Sequence, residues 1–203
     1  MSDKTAKIIS CIFHPLLMPT YGFIIIFNMN SLLFQFPNKG KSLLVFFILI
    51  TTCVLPLMTI YFIKRQGLIK SWNMEDKEER IFPYIISAIF FYFAYRLIIK
   101  FQLPSMFYYF LLGSSLLVIL SLIINFKWKI SSHMVGLGGL TGTFTVLFYK
   151  FQLNISYLIA ILIVISGLTG YARLKLNSHT HAQIYAGFGL GLVIMTVFLF
   201  FLL

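Results

Sequence analysis

Seven apolar runs, each about as long as a bilayer is thick, alternate with short polar stretches along this chain of 203 residues. A helix that crosses the hydrocarbon of a membrane needs about 20 apolar residues. By that rule the candidate spans are residues 13–33, 43–63, 83–100, 104–124, 134–149, 153–172 and 183–203. The first is interrupted at its start by His14-Pro15 and Pro19, so it is expected to enter the membrane as an interfacial or broken segment. The expected fold is therefore all-α, a polytopic transmembrane helix bundle of six to seven spans forming a single integral membrane domain over residues 1–203.

Composition excludes the main alternative. The chain is 60% hydrophobic and 10% charged, whereas a soluble domain is about 45–50% apolar and about 25% charged. The net charge of +11 is not a nucleic-acid signal, because the cations sit in short loops beside apolar runs rather than in one basic stripe or arm. Cys11 and Cys53 both lie in apolar runs and are expected to be small buried hydrophobes, with neither a disulfide nor a metal site. No small-residue cleavage site follows the first apolar run, so it is expected to be retained.

Three polar stretches stand out: 64–82, 125–133 and 172–183. Two candidate spans separate the first from the second, and two more separate the second from the third. An even number of crossings returns the chain to the same side, so all three loops share one membrane face. Eleven of the 16 Lys and Arg fall on that face together with the N-terminus. The excess of cations places it in the cytoplasm. Cations kept for anion binding would bias the same count.

The third loop carries Arg173, His179 and Gln183 in the pattern R-x5-H-x3-Q. If the chain is helical from Ser178 onward, His179 and Gln183 are i, i+4 neighbours, and the Gln183 carbonyl oxygen can hold one imidazole nitrogen. That leaves the other nitrogen free as nucleophile or base. Arg173 supplies a planar cation suited to phosphate oxygens. An equally plain reading is a polar turn with snorkelling interfacial cations. The second loop offers Ser131-Ser132-His133 at the entrance to a glycine-rich helix, where backbone N–H groups favour an anion and His133 can protonate a leaving oxygen. Gly136, Gly138, Gly139 and Gly142 are expected to let helices pack closely. In the first loop Lys70, Lys77 and Arg80 alternate with acids, and most of these charges are expected to form a solvated, salt-bridged face. Arg80 differs: it stands just before Pro83 and the next span, where its guanidinium can turn inward.

Taken in order, these stretches resemble the three motifs of the type 2 phosphatidic acid phosphatase superfamily of membrane lipid phosphatases: K-x6-R-P, P-S-G-H and S-R-x5-H-x3-D. ARLKLNSHTHAQIYAGFGLG keeps the Arg, the spacing to the His and the trailing A-G-x-x-L-G helix. ISSHM keeps the Ser and His without Pro or Gly, and MEDKEERIFP keeps a basic pair without Arg-Pro, closer to a divergent small bacterial branch. The resemblance covers about residues 64–191 and implies a role for each matching residue. His179 attacks phosphorus and becomes a phosphohistidine, His133 is the general acid, and Gln183 occupies the place of the Asp that orients the nucleophile. Arg173, Arg80, Lys77 or Lys70, and the N–H groups after Ser132 hold the phosphate. No metal or other cofactor is implied. The implied substrate is a lipid phosphate monoester or pyrophosphate, on a phospholipid, a polyprenyl chain or lipid A, in a bacterial cytoplasmic membrane.

Gln183 is the main departure. An amide stabilises a developing imidazolium less well than a carboxylate, so weakened activity is expected; the comparable Asp-to-Asn change in serine proteases costs about 10⁴ in rate, mainly through the wrong tautomer. A relative that binds anionic lipid headgroups without turnover is therefore an alternative. A small transporter is disfavoured, because ionisable residues deep inside spans are nearly absent.

Overall fold

The computed structural model describes residues 1–29, 38–67 and 76–203. The described chain is helical, as expected, and six of its helical segments are long and apolar enough to cross a membrane. The α-helices are α1 (Asp3–Ile12), α2 (Met18–Asn28), α3 (Asn38–Leu49), α4 (Leu55–Arg65), α5 (Ile81–Ile98), α6 (Ser105–Lys127), α7 (Ser132–Lys150), α8 (Ser156–Lys175) and α9 (His181–Leu202).

The first segment differs from its expected bounds. Helix begins at Asp3, with Ser2 Oγ accepting from Thr5 N–H as the N-cap, and α1 lies against α8. The chain then breaks at Phe13-His14, makes a 3₁₀ turn over Pro15–Leu17, and continues as α2. Pro15 has no N–H for the preceding turn and holds His14 in an extended conformation, so one straight helix is impossible here. The expected end of this segment, residue 33, lies outside the described residues.

The second segment is one rod, α3 and α4, joined by a π-turn over Ile50–Val54. Pro56 lacks the N–H that would bond the Thr52 carbonyl, and the backbone widens just before it. The turn places Thr52 Oγ1 3.4 Å from the Leu16 carbonyl oxygen and ties this rod to the broken first segment.

Helix α7 is the centre of the bundle. Twelve of its 19 residues are buried, and it packs most extensively on α9. It matches the expected run at 134–149, yet it is not among the six segments apolar enough to span. Its Gly, Thr and Ser content explains both facts: a helix surrounded by protein meets no lipid and gains from small residues that let neighbours approach. A Cβ on Gly138 would meet the Phe188 carbonyl oxygen, and one on Gly191 the Val135 carbonyl oxygen, so the α7 and α9 backbones touch directly. Between helices in lipid such close packing, rather than the hydrophobic effect, supplies the association energy. The outer helices carry the lipid-facing side chains, with Ile161, Val164 and Leu168 exposed on α8 and Val193, Val197 and Phe201 exposed on α9.

The turns at the far end of α5 and α7 both read Lys-Phe-Gln-Leu, and both Gln102 and Gln152 are left-handed, at φ 53° and 52°. At the near end the polar stretches meet. Lys77 Nζ donates to the Phe126 carbonyl oxygen at 2.9 Å, Asn125 Nδ2 to that of Lys77 at 2.7 Å, and Arg80 Nη1 to that of Ile130 at 3.3 Å. The first two loops thus lie together on one face, as the crossing count requires.

Candidate functional site

The third loop is shaped by the way α8 ends. Asn177 is left-handed at φ 50°, its N–H bonds the Leu174 carbonyl at 2.9 Å, and the Ser178 N–H bonds the Arg173 carbonyl at 3.1 Å. This pair of bonds is a Schellman cap, with Asn in the position usually taken by Gly. The cap turns the chain back over the last turn of α8 and so brings His179 toward Arg173.

Helix α9 starts later than expected, at His181, and Thr180 is its N-cap. His179 and Gln183 are therefore not neighbours on one helix face. A capping box joins them instead. Gln183 N–H lies 3.4 Å from Thr180 Oγ1, and Gln183 Oε1 accepts from Thr180 N–H at 3.1 Å. The same Oε1 lies 2.9 Å from His179 Nδ1. An amide oxygen only accepts, and the backbone N–H of Thr180 fixes which end of the amide faces inward. Nδ1 therefore carries the proton, and Nε2 keeps its lone pair.

His179 is buried, and its pKa is pulled down to about 3, first by burial and then by the Arg80 guanidinium, with Arg173 and Lys129 adding to the effect. The hydrogen bond to Gln183 opposes this shift. The imidazole is thus neutral at physiological pH, the state a nucleophile requires.

A cavity of about 1120 Å³ opens beside it. Its polar end is lined by Arg80, Lys129, Ser132, His133, Arg173 and His179, and its inner end by apolar side chains that include Leu57, Phe91, Phe110, Leu140 and Met195. Of the expected site residues, His179, His133, Arg173, Arg80 and Ser132 meet here. Arg80 is buried, and the Arg173 Nε is buried without a partner. Ser132 Oγ lies 2.7 Å from Tyr84 Oη, while His133 Nε2 lies 3.0 Å from the Ser10 carbonyl oxygen. Because a carbonyl only accepts, His133 carries its proton on Nε2 and leaves Nδ1 to exchange one.

Two expected phosphate ligands stand apart. Lys77 is held on the Phe126 carbonyl and does not line the cavity; Lys70 lies outside the described residues. Gln183 reaches the cavity only through His179. His181, in the third loop, is exposed on the first turn of α9. Cys53 is buried, as expected, but Cys11 is exposed and lines the cavity, because α1 turns that face to the site. Both thiols are free.

Sequence reasoning missed His14, Lys7, Ser10, Tyr84 and Lys129. His14 caps the 3₁₀ turn, its Nδ1 accepting from Leu16 N–H at 3.4 Å. Its ring meets the His133 ring edge to face, with centroids 5.6 Å apart. One signal was available: Lys7, Ser10, Cys11 and His14 follow the i, i+3, i+4, i+7 spacing of one helix face. Among the described residues no three His, Cys, Asp or Glu side chains gather closely enough to hold a metal ion. No family model matches the chain, and neither the curated proteins nor the solved structures contain a match.

Proposed function

We propose that this protein is a membrane phosphatase that hydrolyses a lipid phosphate through a phosphohistidine on His179. The observation that carries the reading is the joining, in one cavity, of a neutral imidazole, two guanidinium groups and a second imidazole to an apolar inner chamber. An anion with a hydrocarbon chain matches that division, and a soluble phosphate ester does not.

The chemistry follows from the proton positions. Gln183 holds the Nδ1 proton, so the Nε2 lone pair attacks phosphorus. Arg173 and Arg80 face the phosphate oxygens, where fixed positive charge opposes the repulsion between nucleophile and anion and stabilises the crowded transition state. As the bond to the leaving oxygen breaks, its electron pair leaves with that oxygen. His133 keeps its Nε2 proton on the Ser10 carbonyl and acts as the acid only after Nδ1 has taken up a proton from water, which it then passes to that oxygen. Water then adds to phosphorus, the N–P bond breaks, and inorganic phosphate departs. The residues carried by the resemblance to type 2 phosphatidic acid phosphatases are, apart from Lys77, Lys70 and the His179-bound Gln183, the ones lining this cavity.

Gln183 supports a second reading, a protein that holds a phosphate headgroup without turnover, because a neutral amide gives a developing imidazolium no countercharge. Phosphate release separates the two. Purified protein is offered phosphatidate, phosphatidylglycerophosphate, a polyprenyl diphosphate and a phosphorylated lipid A, with EDTA present, beside His179→Ala. Release that persists in the chelator and disappears in the variant supports the phosphatase. Binding of the same lipids without release from any of them selects the headgroup-binding protein. In this reading the excess of Lys and Arg on the site face supports a cytoplasmic orientation, and the resemblance implies a bacterial inner membrane.

A further inference from the structure

Helix α1 presents a polar stripe to the cavity, although it belongs to a segment apolar enough to span a membrane. Lys7, Ser10, Cys11 and His14 all line the cavity. Ala6, one turn before Ser10 on the helix, is fully buried, and α1 packs on α8. A segment that merely anchored the chain would turn apolar groups inward at these four positions. Ser10 also carries a second observation: its side chain is 7% exposed, and its hydroxyl has no hydrogen-bond partner. A buried hydroxyl left unpaired is unfavourable unless something fills the space beside it.

The charge balance points the same way. Four residues with fixed positive charge line the cavity, Lys7, Arg80, Lys129 and Arg173, and no Asp or Glu does so among the described residues. A single phosphate monoester carries about −1.5 to −2 at neutral pH. It satisfies the pair of guanidinium groups near His179 and leaves the α1 side of the cavity without an anion. That side is also where the leaving group departs, because the His14 ring packs on His133, the proton donor.

We propose that Lys7, Ser10 and His14 form a second anion subsite, and that the substrate is a lipid diphosphate whose inner phosphate occupies it while the outer phosphate meets His179. This rests on the phosphatase reading above. His179 Nε2 bonds to the outer phosphorus, the bond from that phosphorus to the bridging oxygen breaks, and the electron pair leaves on the lipid monophosphate. Water then releases the outer group as inorganic phosphate. A phosphate leaving group has a second pKa of about 6 and needs little protonation, so neutralising it with Lys7 matters more than protonating it. An alcohol leaving group would draw on His133 alone and gain nothing from α1.

Cys11 provides a native reporter, since it is exposed and lines the cavity while Cys53 is buried. The rate of Cys11 alkylation by N-ethylmaleimide is followed by mass spectrometry in full-length His179→Gln protein, which binds without turnover. Farnesyl diphosphate, farnesyl monophosphate and inorganic pyrophosphate are the probes. Farnesyl diphosphate is expected to protect at concentrations about tenfold below those of the monophosphate, a difference that one additional charged contact readily supplies. Lys7→Gln should remove that difference and leave monophosphate protection unchanged. Lys7 is exposed on α1, so the substitution leaves the fold intact. His14→Asn keeps an acceptor at the turn and should reduce the preference.

Equal protection by the two farnesyl compounds, or a Lys7→Gln loss shared equally by both, overturns the subsite. Protection by pyrophosphate as strong as that by farnesyl diphosphate overturns the assignment to a lipid. Phosphate release by the unaltered protein is measured in parallel. Release with no preference between the farnesyl compounds leaves the phosphatase reading standing and removes the subsite. Preferential protection without release removes the phosphatase reading and leaves the subsite.

Discussion

Gln183 Oε1 accepts two hydrogen bonds at once, from the backbone N–H of Thr180 at 3.1 Å and from His179 Nδ1–H at 2.9 Å. One oxygen thus closes the first turn of α9 and sets the tautomer of the buried imidazole. The cap and the candidate nucleophile are consequently coupled, and substitutions at Thr180 and Gln183 separate their effects.

Gln183→Glu keeps the capping box and adds a carboxylate beside the imidazole. Phosphate release is expected to rise by about tenfold or more, because the countercharge stabilises the imidazolium that forms. Gln183→Ala should lower both release and thermal stability, whereas Thr180→Ala should cost about 1 kcal/mol of stability while largely preserving release. Initial rates and melting temperatures of the three variants decide this; a Glu variant slower than the original would contradict the proposed role.

His179 has a folded pKa of about 3, below the value near 6.5 expected for an unfolded chain. Between those values the unfolded chain binds a proton that the native protein does not, so stability rises with pH. The contribution is fully present above about pH 6.5 and is lost as the pH falls toward 3, at up to about 1.4 kcal/mol per pH unit. Melting temperatures from pH 7 to pH 4 should fall less steeply in His179→Gln than in the unaltered protein. Parallel slopes would show that the imidazole is not held neutral.

Lys77 and Arg173 should behave differently despite their like charge. Lys77 Nζ is held on the Phe126 carbonyl, so Lys77→Met should cost about 1 kcal/mol of stability and leave the rate nearly unchanged. Arg173 lines the cavity with a buried, unpartnered Nε. Arg173→Lys replaces a planar fork by a point charge and should lower the rate by about tenfold or more. Equal losses at the two positions would return Lys77 to the phosphate site.

The backbone contact between α7 and α9 makes a graded test of packing. Gly191→Ala sets a methyl group against the Val135 carbonyl and should destabilise the protein by about 1–3 kcal/mol. A Cβ at Gly189, two residues earlier on the same helix, meets nothing within 4 Å. Gly189→Ala should be neutral or stabilising by up to about 1 kcal/mol. Thermal unfolding in detergent distinguishes them.

Orientation has its own test. The C-terminus follows α9, one crossing beyond the third loop, and so lies on the face opposite the site. A reporter that is active only outside the cytoplasm should be active when fused after Leu203. An inactive reporter, with a cytoplasmic one active in its place, would put the cavity on the outer face.

Hydropathy and spacing on their own determined the helical class, the positions of most segments and the return of the three polar loops to one face. They also selected His133, Arg173, His179 and Arg80, because lipid imposes its length scale on every span and the parity of crossings needs no coordinates. The Thr180-to-Gln183 capping box was legible too, as T-x-x-Q before an apolar run, although a simple i, i+4 pairing stood in its place. Only the tertiary structure decided that His14, from the broken first segment, joins the cavity while His181 faces outward. It alone placed Lys77 on a carbonyl 49 residues away and the Ser10 carbonyl against His133, 123 residues distant. Local sequence reports the preferences of each segment for helix and for lipid. Which side chain meets which backbone across such separations depends on how the segments pack, and no local pattern carries that information.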